Sequence, residues 1–425
     1  MDSLHGLALP YLSLDEVMES ARVAVSVPRL QTANAHVHLP PNYSAFASVD
    51  QAVELAASQD VRILGASNYY DFSVYPRFGE RCLEHGIYPL FGLEITSLIE
   101  PVRNAGILIN DPGNPGKMYL CGKGITRFVE MTTGARDLLE LIRHNDRLRM
   151  RRMSALLAEI FAAGGVKVDL HEEDILDSIA WRHGVVRETV TVQERHLAQA
   201  FQQEFFKLVP PSGRNKSLSA VIGQPMRINP EDPQQVQNEI RSRLMKVGKP
   251  AFVEESFVDL TQAFRLILEL GGIPCYPTLA DGASPICAYE DPPEKLIGTL
   301  ESNGIFCVEF IPARNDPDVL TRYVTVFRAA GFVVTAGTEH NTEDLPPLAP
   351  ACRNRQPLPE ALECIFLEGA RVVAAHQFLS LRGRAGYVDG SGRLNPAFAD
   401  REKRIQYFRQ VGAAVVALQL AGAHR

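Results

Sequence analysis

The 425-residue sequence predicts an α/β barrel-like fold that carries a mainly helical insertion. Three observations support this prediction. Short β-rich segments alternate with helical segments from residue 30 to about residue 95, and the same alternation resumes after Leu260. The residues between these two halves have helical periodicity and dense charge. Strands that alternate with helices through short connections are typical of a parallel sheet covered by helices.

The first half of the barrel, residues 1–127, is predicted from the order β-α-β-α-β. Its strands and helices are represented by the segments TANAHVHL, SVDQAVELAASQD, VRILGAS, YPRFGERCLEHG and IYPLFGLEIT. The second half, residues 251–345, repeats a helical stretch that ends in Gly and precedes an apolar run, as in LTQAFRLILELGG before IPCYPTLA. A C-terminal Gly is typical of a helix end, and a continuous apolar run is typical of a strand buried on both faces.

Residues 128–250 are predicted to be a helical insertion into one barrel, because the alternation of helices and apolar strands resumes after them. The segment GARDLLELIRHNDRLRMRRMSALLAEIFAAGG within it is predicted to be a long helix. Residues 346–425 are predicted to form a helical C-terminal extension that packs on the barrel.

The composition restricts the partners of the protein. Lys and Arg total 43 against 50 Asp and Glu, and this net charge of −7 opposes sequence-independent binding to nucleic acid or anionic membranes. The seven cysteines contain no C-x-x-C pair, so neither a zinc ribbon nor a disulfide framework is indicated. The acidic N-terminal region lacks a signal peptide pattern, and the apolar runs are too short to span a bilayer. We therefore expect a cytoplasmic protein without a nucleic-acid or membrane partner, and homo-oligomer formation is left open.

Five donor side chains follow the ends of predicted strands. His36 and His38 are two residues apart on the first strand, so they share one face and lie about 6.6 Å apart along it, close enough to converge on one cation. Glu94 ends the third predicted strand, and Glu339 with His340 ends a late one. The carboxyl ends of parallel strands meet at one edge of a sheet. These residues predict a site for one or two divalent ions, with Zn, Mn and Fe all compatible.

Seven short motifs between about Thr32 and Thr342 follow one another in a characteristic order. They are N-A-H-V-H-L, G-A-S-N, G-L-E-I, R-H-L-A-Q-A-F, G-I-P-C-Y-P, C-V-E-F and A-G-T-E-H-N. This series resembles the polymerase and histidinol phosphatase (PHP) superfamily of metal-dependent phosphoesterases. The resemblance implies a distorted (β/α)7 barrel that hydrolyses a small phosphorylated or other anionic metabolite with metal-activated water.

The resemblance also implies roles for individual residues. His36 and His38 match the opening H-x-H metal ligands of the family, and Glu94 matches its G-x-E carboxylate, which is typically a bridging ligand. His196 is similar to a family ligand, and Arg195 beside it is similar to a phosphate contact. Alternatively, Arg195 and His196 are surface residues of an amphipathic helix.

The chain departs from the family pattern at three motifs. The family has T-D-H, A-H-P and S-D-x-H where this chain has Ser67-Asn68-Tyr69, Cys275-Tyr276-Pro277 and Thr338-Glu339-His340-Asn341. The lost charges oppose a three-metal site, because closely spaced cations need compensating anionic ligands. Asn68, Tyr69 and Tyr276 are predicted to contribute hydrogen bonds and orientation at the catalytic site instead of ligation, and alternatively the phenols of Tyr69 and Tyr276 act as acid or base.

Four basic side chains are predicted to bind the anionic substrate. Lys117 and Lys123 surround a Gly-rich stretch, and Arg214 and Lys216 occupy a segment flanked by Pro and Gly that is predicted to be a loop.

Two other functions stay open. A metal-dependent isomerase or lyase of sugars or sugar acids would also use an H-x-H site in a barrel. The substituted ligand positions would also suit a degenerate, non-catalytic barrel.

Overall fold

The computed structural model describes residues 12–23, 31–342 and 344–422. The chain divides into two compact units. The first consists of Met1–Leu39, Ala45–Leu139 and Val258–Arg425, and the second consists of Pro40–Ser44 and Glu140–Phe257. None of the described helices is long and apolar enough to cross a lipid bilayer.

The first unit is built on a sheet with the strand order β1-β2-β3-β4-β6-β7-β8, and β5 pairs with β3. The strands are β1 (Thr32–Val37), β2 (Val61–Ala66), β3 (Tyr88–Leu98), β4 (Lys117–Lys123), β5 (Val258–Asp259), β6 (Ile273–Thr278), β7 (Cys307–Phe310) and β8 (Val333–Ala336). Beyond β8, Glu339 pairs with Val37 of β1, and its carbonyl accepts a 2.7 Å hydrogen bond from His38 N. The sheet therefore curves into a nearly closed barrel, and the predicted α/β barrel class is confirmed.

One strand of the barrel runs against the others. β4 is antiparallel to both of its neighbours, β3 and β6, whereas the pairs β1–β2, β2–β3, β6–β7 and β7–β8 are parallel. Antiparallel neighbours need no crossover helix across the sheet, and the connection between Leu98 and Lys117 contains only the short helix Glu100–Asn104. The sequence predicted a Gly-rich stretch here rather than a strand, because its Gly and Lys residues obscure the apolar pattern.

Helices cover the sheet and form the second unit. They are α1 (Leu14–Val23), α2 (Val49–Ser58), α3 (Tyr75–Glu84), α4 (Glu100–Asn104), α5 (Thr133–Ala163), α6 (Glu172–His183), α7 (Glu194–Leu208), α8 (Pro211–Ile222), α9 (Pro233–Ile240), α10 (Leu260–Glu269), α11 (Pro293–Ser302), α12 (Pro317–Ala329), α13 (Glu360–Ser380) and α14 (Arg401–Gly422). The start of α10 illustrates how the sequence specifies them. Asp259 accepts from Gln262 N, which satisfies a free amide of the first turn, and Leu266 and Ile267 face the core.

The second unit has its own apolar core, which includes Leu157, Phe161, Phe201 and Phe205. Residues 214–217, predicted to be a loop, belong to helix α8 instead. Pro at the first helical position is already restricted to a helical φ, so the Pro-rich start initiates this helix rather than excluding it.

Close packing of the C-terminal helices predicts a stability effect at Gly412. A Cβ atom there would lie 1.8 Å from the Arg371 carbonyl oxygen of α13. We expect Gly412→Ala to lower the free energy of unfolding by about 1–3 kcal/mol in urea titrations, because this overlap outweighs the better helix propensity of Ala. The matched control is Gly422→Ala in the same helix, where no atom lies within 4 Å. Equal stabilities of the two variants would contradict this packing.

Candidate metal centre

Three buried donor atoms converge at the rim of the barrel. His36 Nε2 lies 3.3 Å from His38 Nε2 and 3.4 Å from Glu94 Oε2, and His38 Nε2 lies 3.2 Å from Glu94 Oε2. The three residues are 2%, 0% and 6% exposed. Ligands at about 2.1 Å from a tetrahedral ion are separated from one another by about 3.4 Å. The triangle therefore has the size that a single divalent ion requires.

Strands β1 and β3 place the three donors at the same edge of the sheet. His36 and His38 lie on the same side of an extended segment, which continues from β1 past Val37. β3 is longer than β2, so Glu94 lies beyond the end of β2 and pairs with Tyr69 in the following loop. Asn68 secures this loop, because its side chain accepts from Leu39 N at 2.7 Å and donates to Leu39 O at 2.9 Å. Both polar ends of the Asn68 side chain are engaged by the backbone, so Asn68 supports the position of His38, and its catalytic role stays a prediction.

Neighbouring groups orient the donor atoms. His36 Nδ1 lies 2.6 Å from Glu309 Oε1, so the proton on Nδ1 donates to the carboxylate and Nε2 is directed to the donor triangle. The Tyr69 hydroxyl donates to Glu94 Oε1 at 2.7 Å, which leaves Glu94 Oε2 for the triangle. The Tyr69 ring also stacks on the His38 ring at 5.0 Å.

The electrostatics of the triangle favour a cation. Burial opposes the charged form of Glu94, but the adjacent imidazoles of His36 and His38 lower the pKa of its carboxyl well below the ordinary value. Burial likewise opposes a charged His36, and the Glu309 carboxylate raises its pKa well above the ordinary value. Glu94 Oε2 is buried, and the Nε2 atoms of His36 and His38 lie 3.4 and 3.2 Å from it. A buried carboxylate oxygen of this kind requires a positive partner, and two imidazoles with one carboxylate fit a divalent ion.

Below the triangle, Lys123 and Glu309 form a buried ion pair. Lys123 Nζ lies 2.6 Å from Glu309 Oε2 and donates to Ala35 O at 3.1 Å. Burial disfavours the charged lysine, but Glu309 outweighs it and the pKa of Lys123 is raised. The Lys123 side chain is 2% exposed and paired with Glu309, and its role in substrate binding stays a prediction.

A second group of donors, formed by His36, Cys121 and Glu309, surrounds this ion pair. Glu309 already accepts from the Nδ1 proton of His36 and pairs with the Lys123 ammonium. These two positive partners occupy both carboxylate oxygens, so this group does not suit a second ion. The donor set at the rim thus fits one ion per barrel.

Two predicted ligands are turned away from the triangle. Glu339 pairs with Arg314 at 2.5 Å and accepts from Asn341 Nδ2 at 2.8 Å. His340 Nε2 lies 2.9 Å from Pro346 O, and its Nδ1 lies 2.8 Å from Thr338 Oγ1, so both ring nitrogens are engaged. The reason is the backbone, which has positive φ at both residues, 59° and 55°, and so breaks the side-chain alternation of the strand.

Tyr276 lies away from the donors as well. Its hydroxyl donates to Glu290 Oε1 at 2.8 Å, and its side chain is fully buried. Successive strand residues face opposite sides of the sheet, and its neighbour Cys275 interacts with Glu309 and Lys123 inside the barrel. Tyr276 therefore faces the covering helices, and a catalytic role at the metal does not fit its position.

Arg195 and His196 belong to the second unit. The Arg195 guanidinium lies over the Tyr43 ring at 5.7 Å, and His196 Nδ1 accepts from Gln193 N at 3.0 Å. Burial lowers the pKa of His196 to about 3, so its imidazole is neutral. Within the described ranges His196 joins neither group of donors that could hold an ion. The predicted ligand role thus has no supporting donors around it.

The remaining basic residues are also placed differently from the prediction. Arg214 pairs with Glu231 at 2.6 Å, and Lys216 is exposed on α8. Lys117 is buried on β4, with its Nζ 3.5 Å from Asp111. Arg214 and Lys216 thus lie on a helix instead of the predicted loop, Lys117 lies on a strand, and their role in substrate binding stays a prediction.

Sequence reasoning missed Glu309 and Arg314. Glu309 carried a detectable signal, because an acidic residue inside the apolar strand Cys307–Phe310 needs a buried partner. Arg314 carried no such signal, because an arginine after a strand is ordinary in sequence.

Comparison with known proteins supports the fold. No protein-family model matches the chain, and no curated protein sequence is significantly similar to it. A provisionally assigned metal-dependent phosphoesterase from Bifidobacterium adolescentis superposes with a TM-score of 0.52 at 14% identity, over 80% of this chain and 96% of that chain. An amidohydrolase from Chromobacterium violaceum, with sulfate bound and no metal, gives a TM-score of 0.49 at 17% identity over 79% and 96% of the two chains. At 14% identity, the similarity to the phosphoesterase structure shows a shared fold.

Proposed function

We propose that this protein is a metal-dependent hydrolase of the PHP type that cleaves a small phosphorylated or other anionic molecule. One observation carries the proposal: three buried donor atoms, His36 Nε2, His38 Nε2 and Glu94 Oε2, lie 3.2–3.4 Å from one another. A similar fold in a protein assigned as a metal-dependent phosphoesterase supports the same choice. Zn, Mn and Fe all suit two imidazoles and one carboxylate.

The residues of the chain have separable roles in this proposal. A bound divalent ion would supply Lewis acidity and lower the pKa of water toward neutrality. Glu309 fixes the tautomer of His36. The Tyr69 hydroxyl binds one carboxylate oxygen of Glu94 and leaves the other oxygen for the ion. Burial and the nearby Glu94 carboxylate raise the pKa of Tyr69, so its hydroxyl stays protonated and remains a donor. These contacts preorganise the ligands, which reduces the cost of assembling the site.

Metal analysis of the purified protein tests the proposal. We expect about one divalent ion per chain by plasma mass spectrometry, and less than roughly a tenth of that in His38→Ala, because three protein ligands with an open position are typical of catalytic sites. The matched control is His340→Ala, which removes a predicted ligand that the structure engages elsewhere and should retain the ion. Absence of stoichiometric metal from the wild-type protein would overturn the proposal.

Phosphate release from a panel of phosphomonoesters then tests the reaction. We expect metal-dependent release from at least one small ester by the wild-type protein and none by His38→Ala. A metal-loaded protein that releases no phosphate from any ester would remove the phosphoesterase assignment and leave the metal site intact.

A further inference from the structure

Arg314 presents a partly free guanidinium at the rim of the barrel. It ends the short turn Pro312–Arg314 after β7, the strand that carries Glu309. Its Nη2 pairs with Glu339 Oε2 at 2.5 Å, and its side chain is 41% exposed. The other guanidinium donors make no hydrogen bond to the described residues. Since arginine carries five N–H donors in a planar fork, most of its hydrogen-bonding capacity is available to a ligand.

This guanidinium is paired with a residue whose backbone lies next to the donor triangle. Its partner Glu339 lies beside the metal ligands, because Glu339 N donates to His36 O at 2.9 Å and its carbonyl accepts from His38 N at 2.7 Å. The Glu339 carboxylate raises the pKa of Arg314, and Glu94 and Tyr69 raise it further. The positive charge of Arg314 therefore acts on the same groups that form the candidate metal centre.

The backbone beneath this side chain is firmly held. Arg353 donates to the carbonyl oxygens of Arg314 and Asp281, and it forms an ion pair with the Asp281 side chain at 3.0 Å. Asn315 Nδ2 donates to Leu279 O at 2.7 Å and to Asp281 Oδ1 at 3.0 Å. A rigid support under an exposed charged group is the arrangement that binding residues require, because little order has to be imposed when a ligand arrives.

The predicted substrate-binding lysines of the barrel do not compete for this role. Lys123 is 2% exposed and neutralises Glu309, and the Lys117 side chain is 9% exposed beside Asp111. Arg314 combines exposure, a fork of donors and an ion pair with Glu339, whose backbone is bonded to His36 and His38. Arginine also matches the geometry of a phosphate or carboxylate better than lysine does, because it can donate two parallel hydrogen bonds.

We propose that Arg314 binds the anionic group of the substrate and that Glu339 occupies Arg314 in its absence. This inference rests on the proposed function and assigns the residue that gives the site its preference for oxyanions. Glu339 thus serves as an internal substitute for the substrate anion instead of a metal ligand. An incoming phosphoryl group competes with Glu339 for the guanidinium.

Calorimetric titration with inorganic phosphate tests this inference on the metal-loaded protein. We expect Arg314→Leu to weaken phosphate binding roughly tenfold to hundredfold with the metal content unchanged, because charge-assisted hydrogen bonds are lost. Arg314→Lys should recover part of the affinity. Glu339→Gln should strengthen binding, because the competing carboxylate is removed, and a merely structural ion pair would not give this opposite effect. Thermal unfolding of each variant verifies that it is folded.

Arg77→Leu is the matched control, because Arg77 is also partly exposed and pairs with Asp50 at 3.1 Å. It should bind phosphate as the wild type does. Wild-type affinity in Arg314→Leu, or no phosphate binding by the metal-loaded wild type, would overturn the inference. Neither result affects the metal content, so failure here is distinguishable from failure of the metal site itself.

Discussion

Replacing Glu309 by Ala is expected to lower the free energy of unfolding by about 3–5 kcal/mol, because Lys123 would be left as an unpaired buried charge. The two charges lie 2.6 Å apart, and both side chains are inaccessible to water. The same variant should lose about tenfold to hundredfold in metal affinity, because His36 Nδ1 loses its hydrogen-bond acceptor. Urea unfolding and competition with a chromogenic chelator measure the two effects.

A double variant separates the two roles of Glu309. Lys123→Met combined with Glu309→Leu removes both buried charges, so much of the stability should return. The metal affinity should stay low, because His36 still has no carboxylate to hold its tautomer. A Glu309→Ala protein with wild-type stability would show that the ion pair is not important for the fold. Recovery of metal affinity in the double variant would contradict the orienting role.

Acidification is expected to destabilise the protein between about pH 6.5 and pH 4 because of His376. Its Nε2 lies 3.0 Å from Gly271 O and its Nδ1 accepts from Tyr387 N at 3.1 Å, so the folded protein holds a neutral imidazole. Burial lowers the pKa of His376 to about 4, the Gly271 carbonyl opposes this shift, and Arg127 adds to it. The unfolded chain has the ordinary value of about 6.5.

The lowered pKa of His376 determines how the free energy of unfolding changes with pH. Above pH 6.5 the imidazole is neutral in both states, and the contribution to stability is fully present. As the pH falls, the unfolded chain binds a proton first, so up to about 3 kcal/mol of stability is lost before the folded protein titrates near pH 4. Urea unfolding at a series of pH values measures this loss.

His376→Gln should remove most of this pH dependence, at some cost in stability near neutrality. The exposed His144 offers a matched control, because His144→Gln should leave the pH dependence unchanged. An unaltered pH profile in His376→Gln would show that other groups cause the acid sensitivity.

The barrel could be predicted from the sequence because its information is local. Strands and helices alternate with short connections, and each has an apolar pattern that local periodicity reveals. The H-x-H pair was predictable for the same reason, since residues two apart on a strand share a face. The structure brings His36, His38 and Glu94 together at the rim, and their role as ligands stays a prediction until metal is measured.

Side-chain direction after the strands was not predictable in this way. Glu339 and His340 follow β8 as ligands would, but two residues with positive φ turn them to other partners. Tyr276 lies on the outward face of β6, where its hydroxyl meets Glu290. Ligand positions inferred from a motif depend on the backbone path beyond the strand, which a short motif does not encode.

The sequence by itself determined the alternating architecture and the local pair of imidazoles. Only the tertiary structure decided which distant residues complete the site: Glu309 orients His36, Lys123 neutralises Glu309, and Arg314 pairs with Glu339. The physical reason is that periodicity and propensity act over a few residues, whereas buried charges are matched across the barrel by elements far apart in the chain.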